Sequence, residues 1–295
     1  MKKLWANSNR KLGDFLQSMC FSGPSFLGML LFYVVPFGVV VYYSFIAGAM
    51  DHSFVGFQNY KNVLENGAYK IAVHNTVVFS ALSVPLAVVL SLLMALMLEC
   101  RIPWKSQFRT FFLSPMMVPV ASIILVWQVL FHANGVVNEF LALFGATGVD
   151  WLKSDYCMVV IVVLFLWKNL GYNMILFMAA LNNIPKTLLE VAEVEGASAG
   201  YQFFHIKLRY LSPTVLFVTI LSIINSFKIF REVYLLTGNY PYDKLYMLQH
   251  FMNNMFANLD YQKLSAAAVL LALVIVALLA ILFAVENWFG KDVEG

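Results

Sequence analysis

The sequence predicts an all-α membrane protein with six transmembrane helices, and three observations carry that prediction. Of 295 residues, 61% are hydrophobic and 12% charged, where an ordinary soluble domain carries about 25% charged residues. The mean hydropathy is +0.76. The apolar residues also gather into six runs, each near the roughly 20 residues that cross about 30 Å of hydrocarbon. In lipid the backbone must satisfy its own polar groups, so runs of this length are helices.

Residues 1–25 hold Lys2, Lys3, Arg10 and Lys11 among mixed polar and apolar residues and close on Gly23-Pro24. They read as an amphipathic arm on the cytosolic face of the membrane. A signal peptide is the competing reading. However, Phe26–Ile46 is long enough to span and more spans follow, which favours a retained anchor. The remaining spans are Thr76–Leu98, Phe108–Phe131, Met158–Leu181, Leu211–Leu236 and Leu264–Ala284. Pro36, Pro85, Pro115 and Pro119 fall inside spans and predict kinks.

With the N-terminus inside, eleven Lys and Arg lie on the cytosolic side, five lie outside, and Lys168, Lys228 and Arg231 lie within spans. That excess places both termini in the cytoplasm. The outer connections, about 47–75, 132–157 and 237–263, are too short for separate domains, so residues 26–295 read as one six-helix domain.

The net charge of +3 comes without a clustered basic patch, which excludes nucleic-acid binding. Cys20, Cys100 and Cys157 stand far apart and support neither a disulfide framework nor a metal site. His52, His74, His132, His205 and His250 have no ligand-like spacing. No G-x-x-x-x-G-K-[ST] phosphate loop occurs, so the chain does not hydrolyse ATP by that route. Gly196-Ala-Ser-Ala-Gly200 matches the G-x-S-x-G nucleophile elbow, but that elbow needs a strand before it. Here an acidic helical turn precedes the glycine, and Ser198 reads as a helix cap. The chain is not an enzyme by itself.

The segment 183–213 is neither a span nor a simple turn. Asn183-Ile184-Pro185 predicts a helix start. Leu188, Leu189, Ala192 and Val191 form an apolar stripe beside solvated Glu190, Glu193 and Glu195. Gly196 suits a left-handed C-terminus. Ser198 caps a second short helix through about Lys207, and Pro213 opens the next span. Such a knob, with Tyr201, Phe203, Phe204 and Ile206 supplying bulk, calls for a protein partner.

This segment resembles the EAA motif of ABC-transporter permeases of the carbohydrate-uptake type. Glu190, Ala192, Gly196, Ala197, Ser198, Phe203, Ile206 and Leu208 stand at the motif's spacing. Upstream Ala180-Leu181-Asn182-Asn183-Ile184-Pro185 and downstream Phe230 to Gly238, Phe256 and Ala266-Ala267 extend the likeness over about residues 75–286. Val191 replaces the motif's first alanine, and Arg209 stands where proline is usual. The resemblance implies a type I importer permease whose loop, 183–209, is a coupling helix seated in a cytosolic ATPase, with Glu190 as contact and Gly196 as joint. It implies a second homologous permease forming a heterodimer, two ATPase subunits, an extracytoplasmic solute-binding protein and a bacterial or archaeal cell membrane. ATP and Mg belong to the ATPase; no cofactor is expected on this chain. Carbohydrate is the implied substrate, although the family also carries glycerol phosphates and other polyols.

Polar residues inside spans are costly in lipid and usually face a pathway or a partner. Trp167, Lys168, Asn169, Tyr172 and Asn173 cluster in the fourth span, with 169, 172 and 173 on one face. Asn225, Ser226, Lys228, Arg231 and Glu232 cluster in the fifth, where 225, 228 and 232 share a face. Trp127 and Gln128 add a pair in the third. Aromatic faces with amides and a few charges suit a sugar, which makes Trp127, Gln128, Trp167, Asn169, Tyr172, Asn173, Asn225, Ser226 and Lys228 candidates for the path. Two other readings stand beside this one: interhelical glue, and Lys228 and Arg231 snorkelling to the outer interface. An ion-coupled secondary transporter is the rival function. It predicts inverted repeats or paired midplane acids, and the sequence has neither.

Overall fold

The computed structural model describes residues 19, 21–48, 50–99 and 103–290, the last three by backbone alone. The arm at 1–25 lies mostly outside the described residues. Those described are helical almost throughout, apart from an isolated antiparallel bridge between Ile46 and Phe54. Among the described residues five helices are long and apolar enough to cross a membrane, or six if one bent pair is counted as a span.

The chain divides into two compact units. The first comprises residues up to 64 together with 255–272. Its helix α1, Phe21–Ser44, contains a π-turn at Leu30–Val34 and buries none of its apolar window within the protein. All-round apolarity without burial marks a helix solvated by lipid or by another membrane chain. At its end, Asn59 of α2 (Gln58–Glu65) donates to the carbonyls of Ser44 at 3.0 Å and Ile46 at 2.9 Å. Tyr60 and Ser44 share a hydroxyl hydrogen bond of 2.7 Å, and Phe45 packs on Phe54, Phe57 and Tyr60.

The second unit, 65–254 with 273–295, carries the sites. Its axis is α3, Gly67–Glu99, about 50 Å long at 1.5 Å per residue. The expected span began nine residues later. The extra turns are polar at the start, where Asn75 donates to the carbonyls of Asp243 and Tyr246 at 2.6 and 3.0 Å. Helices α4 (Lys105–Met117) and α5 (Val120–Leu130) meet at 102°. The single span expected over Phe108–Phe131 is therefore broken. Val118 is extended and Pro119, which has no N–H to give, begins the second helix.

After α6 (Val136–Ala142), buried Asn138 holds the connection with both ends of its amide. Its nitrogen donates to Ala133 and Val149, and its oxygen accepts from Trp151 Nε1 at 2.9 Å. Helix α7, Cys157–Asn182, runs along α3, and α4 crosses it at Gly171. There the Phe112 carbonyl oxygen would lie 1.8 Å from an added Cβ. Without lipid-expelling force, close backbone approach at small residues is what joins membrane helices.

Helix α8, Lys186–Val194, is followed by α9, Ala199–Gln202, a π-turn at Phe203–Lys207 and α10, Leu208–Lys228. The second short helix thus does not end near Lys207; the chain stays helical from Ala199 to Thr237, with Pro213 inside it. One missing N–H is tolerated because Leu211 and Val218, on either side, are fully buried in the core. Helices α11 (Phe230–Thr237), α12 (Leu248–Ala257) and α13 (Tyr261–Gly290) complete the chain.

Two apolar clusters hold the unit. One joins Phe79, Trp127, Phe165, Val233 and Met247; the other joins Leu98, Met174, Phe177, Leu181, Ile184 and Leu211 beside α8.

Candidate functional site

The loop between α7 and α10 is built from two helix ends. Asn183, expected to start α8, instead ends α7, and Pro185 precedes the first residue of α8. Proline suits that place because the first helical amides have no partner in any case. At the far end, the Gly196 N–H donates to the Glu193 carbonyl at 3.0 Å and the Ala197 N–H to Ala192 at 2.8 Å. Gly196 has φ +81°. This is a Schellman closure, and it needs a residue free to turn left-handed. Ser198 Oγ then accepts the Tyr201 N–H at 3.3 Å and caps α9, which is a structural use of the hydroxyl and not a nucleophile's.

The faces of α8 are sharply divided. Ala192 is buried and Leu189 packs toward the second cluster. Glu190, Glu193 and Glu195 are exposed. Leu188, Val191 and Val194 form an uncovered apolar ridge, with Val194 89% exposed. Ala197, Phe203, Ile206 and Leu208 are half-buried, whereas Arg209 is exposed. Tyr201 and His205 stack at 4.1 Å. Lys207 Nζ reaches the Glu99 carboxylate at 2.8 and 3.0 Å, tying the loop to the end of α3. Arg209 and Glu286 are among the lining of a groove of about 740 Å³ between α10 and the end of α13.

The intramembrane polar residues form a ladder between α7 and α10. Asn173 donates to Ser222 at 3.0 Å, and Asn225 donates to Asn169 at 2.8 Å. Ser226 shares a hydrogen bond of 3.0 Å with Ser80 of α3. Above these, Lys168 forms an ion pair with Glu232, whose other carboxylate oxygen has no partner among the described residues. Trp127 and Trp167 pack with ring centres 5.2 Å apart, and the buried Trp127 Nε1 is likewise unpartnered. Gln128 and Tyr172 are half-buried. Of the expected common face of 225, 228 and 232, Asn225 is half-buried, Lys228 is exposed and Glu232 is 3% exposed.

Sequence reasoning missed two features near this ladder. Gly171 was not singled out, since nothing local distinguishes a glycine that meets another backbone. His250 lies outside the spans and is buried; its Nδ1 accepts the Met247 N–H at 3.1 Å, and its ring meets Phe230 at 4.7 Å. Burial pushes its pKa down from 6.5 to about 4. Nearby, the hydrogen bond from exposed Lys244 to Asp155, 2.9 Å long, raises the lysine pKa.

Comparison with known proteins gives a consistent result. Residues 87–295 match the family described as binding-protein-dependent transport system inner membrane component. The sn-glycerol-3-phosphate transport system permease protein UgpA of Rhizobium meliloti is 30% identical over 268 residues, covering 88% of this chain and 91% of its own. The arabinooligosaccharides transport system permease protein AraP of Bacillus subtilis is 30% identical, covering 74% of this chain and 71% of its own. A chain of the bacterial alginate ABC transporter, solved with an alginate pentasaccharide-bound periplasmic protein, has the same fold. Its TM-score is 0.80 at 19% identity, covering 98% of this chain and 99% of that one.

Proposed function

The chain belongs to the family of binding-protein-dependent ABC transport inner-membrane permeases, and from that premise we propose that it moves a carbohydrate, a mono- or oligosaccharide, across the membrane. It is a multi-pass inner-membrane protein, it has no catalytic activity of its own, and it binds no cofactor. The expected partners are a second, homologous permease and two ATPase subunits, with substrate delivered by an extracytoplasmic binding protein. Both termini lie in the cytoplasm, and residues 26–295 act as one permease domain.

The observation that carries this reading is the uncovered ridge of Leu188, Val191 and Val194. A bilayer cannot cover it, because Glu190, Glu193 and Glu195 are interleaved with it on the same short helix. It fits the cleft of an ATPase, with Glu190 at the contact and Gly196 as the joint. Ala192 anchors the helix from within, while Ala197, Ser198, Phe203, Ile206, Leu208 and Arg209 carry the motion into α10. Closure of the ATPases around ATP moves α8, α10 shifts against α7, and the path opens toward the binding protein. Hydrolysis resets it. The candidates along that path are Trp127, Gln128, Trp167, Asn169, Tyr172, Asn173, Asn225, Ser226 and Lys228.

Val191→Asp with Val194→Asp is expected to abolish co-purification with the ATPase subunits, and Gly196→Pro to abolish sugar uptake. Retention of both properties in these variants sinks the coupling assignment.

A further inference from the structure

Helix α6 leaves one face uncovered. Val136 and Phe140, with Leu143 and Phe144 in the closing turn, recur at i, i+4, i+7 and i+8, the spacing of a single stripe. All four are exposed, Leu143 at 80% and Phe144 at 75%. The rings of Phe140 and Phe144 meet edge to face with centres 5.3 Å apart. The opposite face is fixed to the protein by buried Asn138, whose amide bonds to Ala133, Val149 and Trp151. At the start, a Cβ added to Gly135 would lie 2.4 Å from the Val129 carbonyl oxygen, so α6 closes directly on the end of α5. At the finish, Gly145 turns left-handed at φ +76°. There the Gly145 and Ala146 amides return to the Ala142 and Leu141 carbonyls at 3.0 and 3.2 Å. The stripe is held outward by all three.

Its depth is set by α7. Trp151, bonded to Asn138, packs on Tyr156 with ring centres 5.9 Å apart. Tyr156 directly precedes α7, an unbroken helix of 26 residues that is long and apolar enough to span. Helix α6 is thus tied to the end of a span, the level at which a bilayer passes from hydrocarbon to headgroups. Trp and Tyr, as at 151 and 156, are the residues that gather at that level.

We propose that α6 is an interfacial helix, lying on the membrane surface beside the start of α7 with Val136, Phe140, Leu143 and Phe144 set among lipid headgroups and upper acyl chains. A lipid surface is the occupant that the chemistry of the stripe favours. None of its four side chains offers a hydrogen bond. A protein that docked there reversibly would return the whole stripe to water at each release, whereas reversible interfaces are about as polar as ordinary protein surface. Aromatic and aliphatic side chains along one face of a helix at this level are what an interfacial helix presents to lipid. The inference is independent of the substrate and goes beyond the carbohydrate assignment.

The test places the complete transporter in lipid nanodiscs, with an environment-sensitive fluorophore on Leu143→Cys. Cys20 and Cys100 are replaced by serine, and buried Cys157 is kept. A phospholipid carrying a nitroxide near its headgroup is expected to cut the emission roughly twofold. Iodide in the buffer is expected to leave it unchanged, and adding the binding protein to alter neither result. Quenching by iodide without quenching by the lipid nitroxide overturns the proposal, because the stripe then faces water. Protection from both quenchers overturns it in favour of a contact with the second permease. Lipid quenching that disappears when the binding protein is added overturns it in favour of a docking surface.

Discussion

Gly171 shows how much one absent methyl group decides. The Phe112 carbonyl oxygen lies 1.8 Å from where its Cβ would be, at the crossing of α4 and α7. Gly171→Ala is expected to cost about 3 kcal/mol or more, read as a lowered thermal midpoint in detergent. Gly200→Ala is the control: an added Cβ there meets nothing within 4 Å, and alanine is the better helix former by about 1 kcal/mol. Equal midpoints for the two variants contradict the close crossing of α4 and α7. His250 makes a second prediction at this scale. Its folded pKa of about 4 lies below the ordinary 6.5, so between these values the unfolded chain holds more protons and stability rises with pH. The contribution is complete above pH 6.5 and is lost as pH falls toward 4, amounting to about 3 kcal/mol. Thermal midpoints measured from pH 7.5 to 4.5 are expected to fall, and His250→Gln to flatten that slope.

Among the elements, the loop 183–209 was the most legible and also the most instructive in its errors. Gly196 and Ser198 do what their chemistry suggests, because left-handed closure and capping are local and need only a few neighbouring amides. The ends of the surrounding helices are not local. Asn183 has cap chemistry but sits where α7 still has carbonyls to terminate. Pro213 looks like a boundary but is carried through by the burial of Leu211 and Val218. The Glu99–Lys207 pair ties the loop across 108 positions of sequence, a separation at which sequence pattern is silent. Being partly exposed, at 38% and 19%, it contributes no more than about 1 kcal/mol. Lys207→Met is expected to leave the thermal midpoint nearly unchanged while loosening the loop. Faster amide hydrogen exchange over residues 199–207 is the readout, and unaltered exchange argues against the tie.

For the whole molecule, charge asymmetry is the main guide to orientation. On the proposed topology, Val194, 89% exposed, and Tyr240, 77% exposed, lie on opposite sides of the membrane. Introduced in turn as cysteines, the first is expected to resist a membrane-impermeant thiol reagent added to intact cells and the second to react. Reversed labelling inverts the topology and removes the coupling assignment with it.

Composition and the lengths of the apolar runs were enough to predict an all-helical membrane protein, because lipid permits few solutions and each span is set by its own residues; the resemblance around Gly196 supplied the permease reading. Only the tertiary structure decided which intramembrane polar groups are satisfied. Asn169, Asn173, Asn225 and Ser226 are hydrogen-bonded between helices, and Lys168 pairs with Glu232. Lys228 and Arg231 are exposed, and neither forms an ion pair with Glu232. Periodicity places side chains around one helix axis. Whether a side chain meets a partner depends on the neighbouring helix, whose crossing is set by contacts such as Gly171 and Phe112 that lie far apart in the chain.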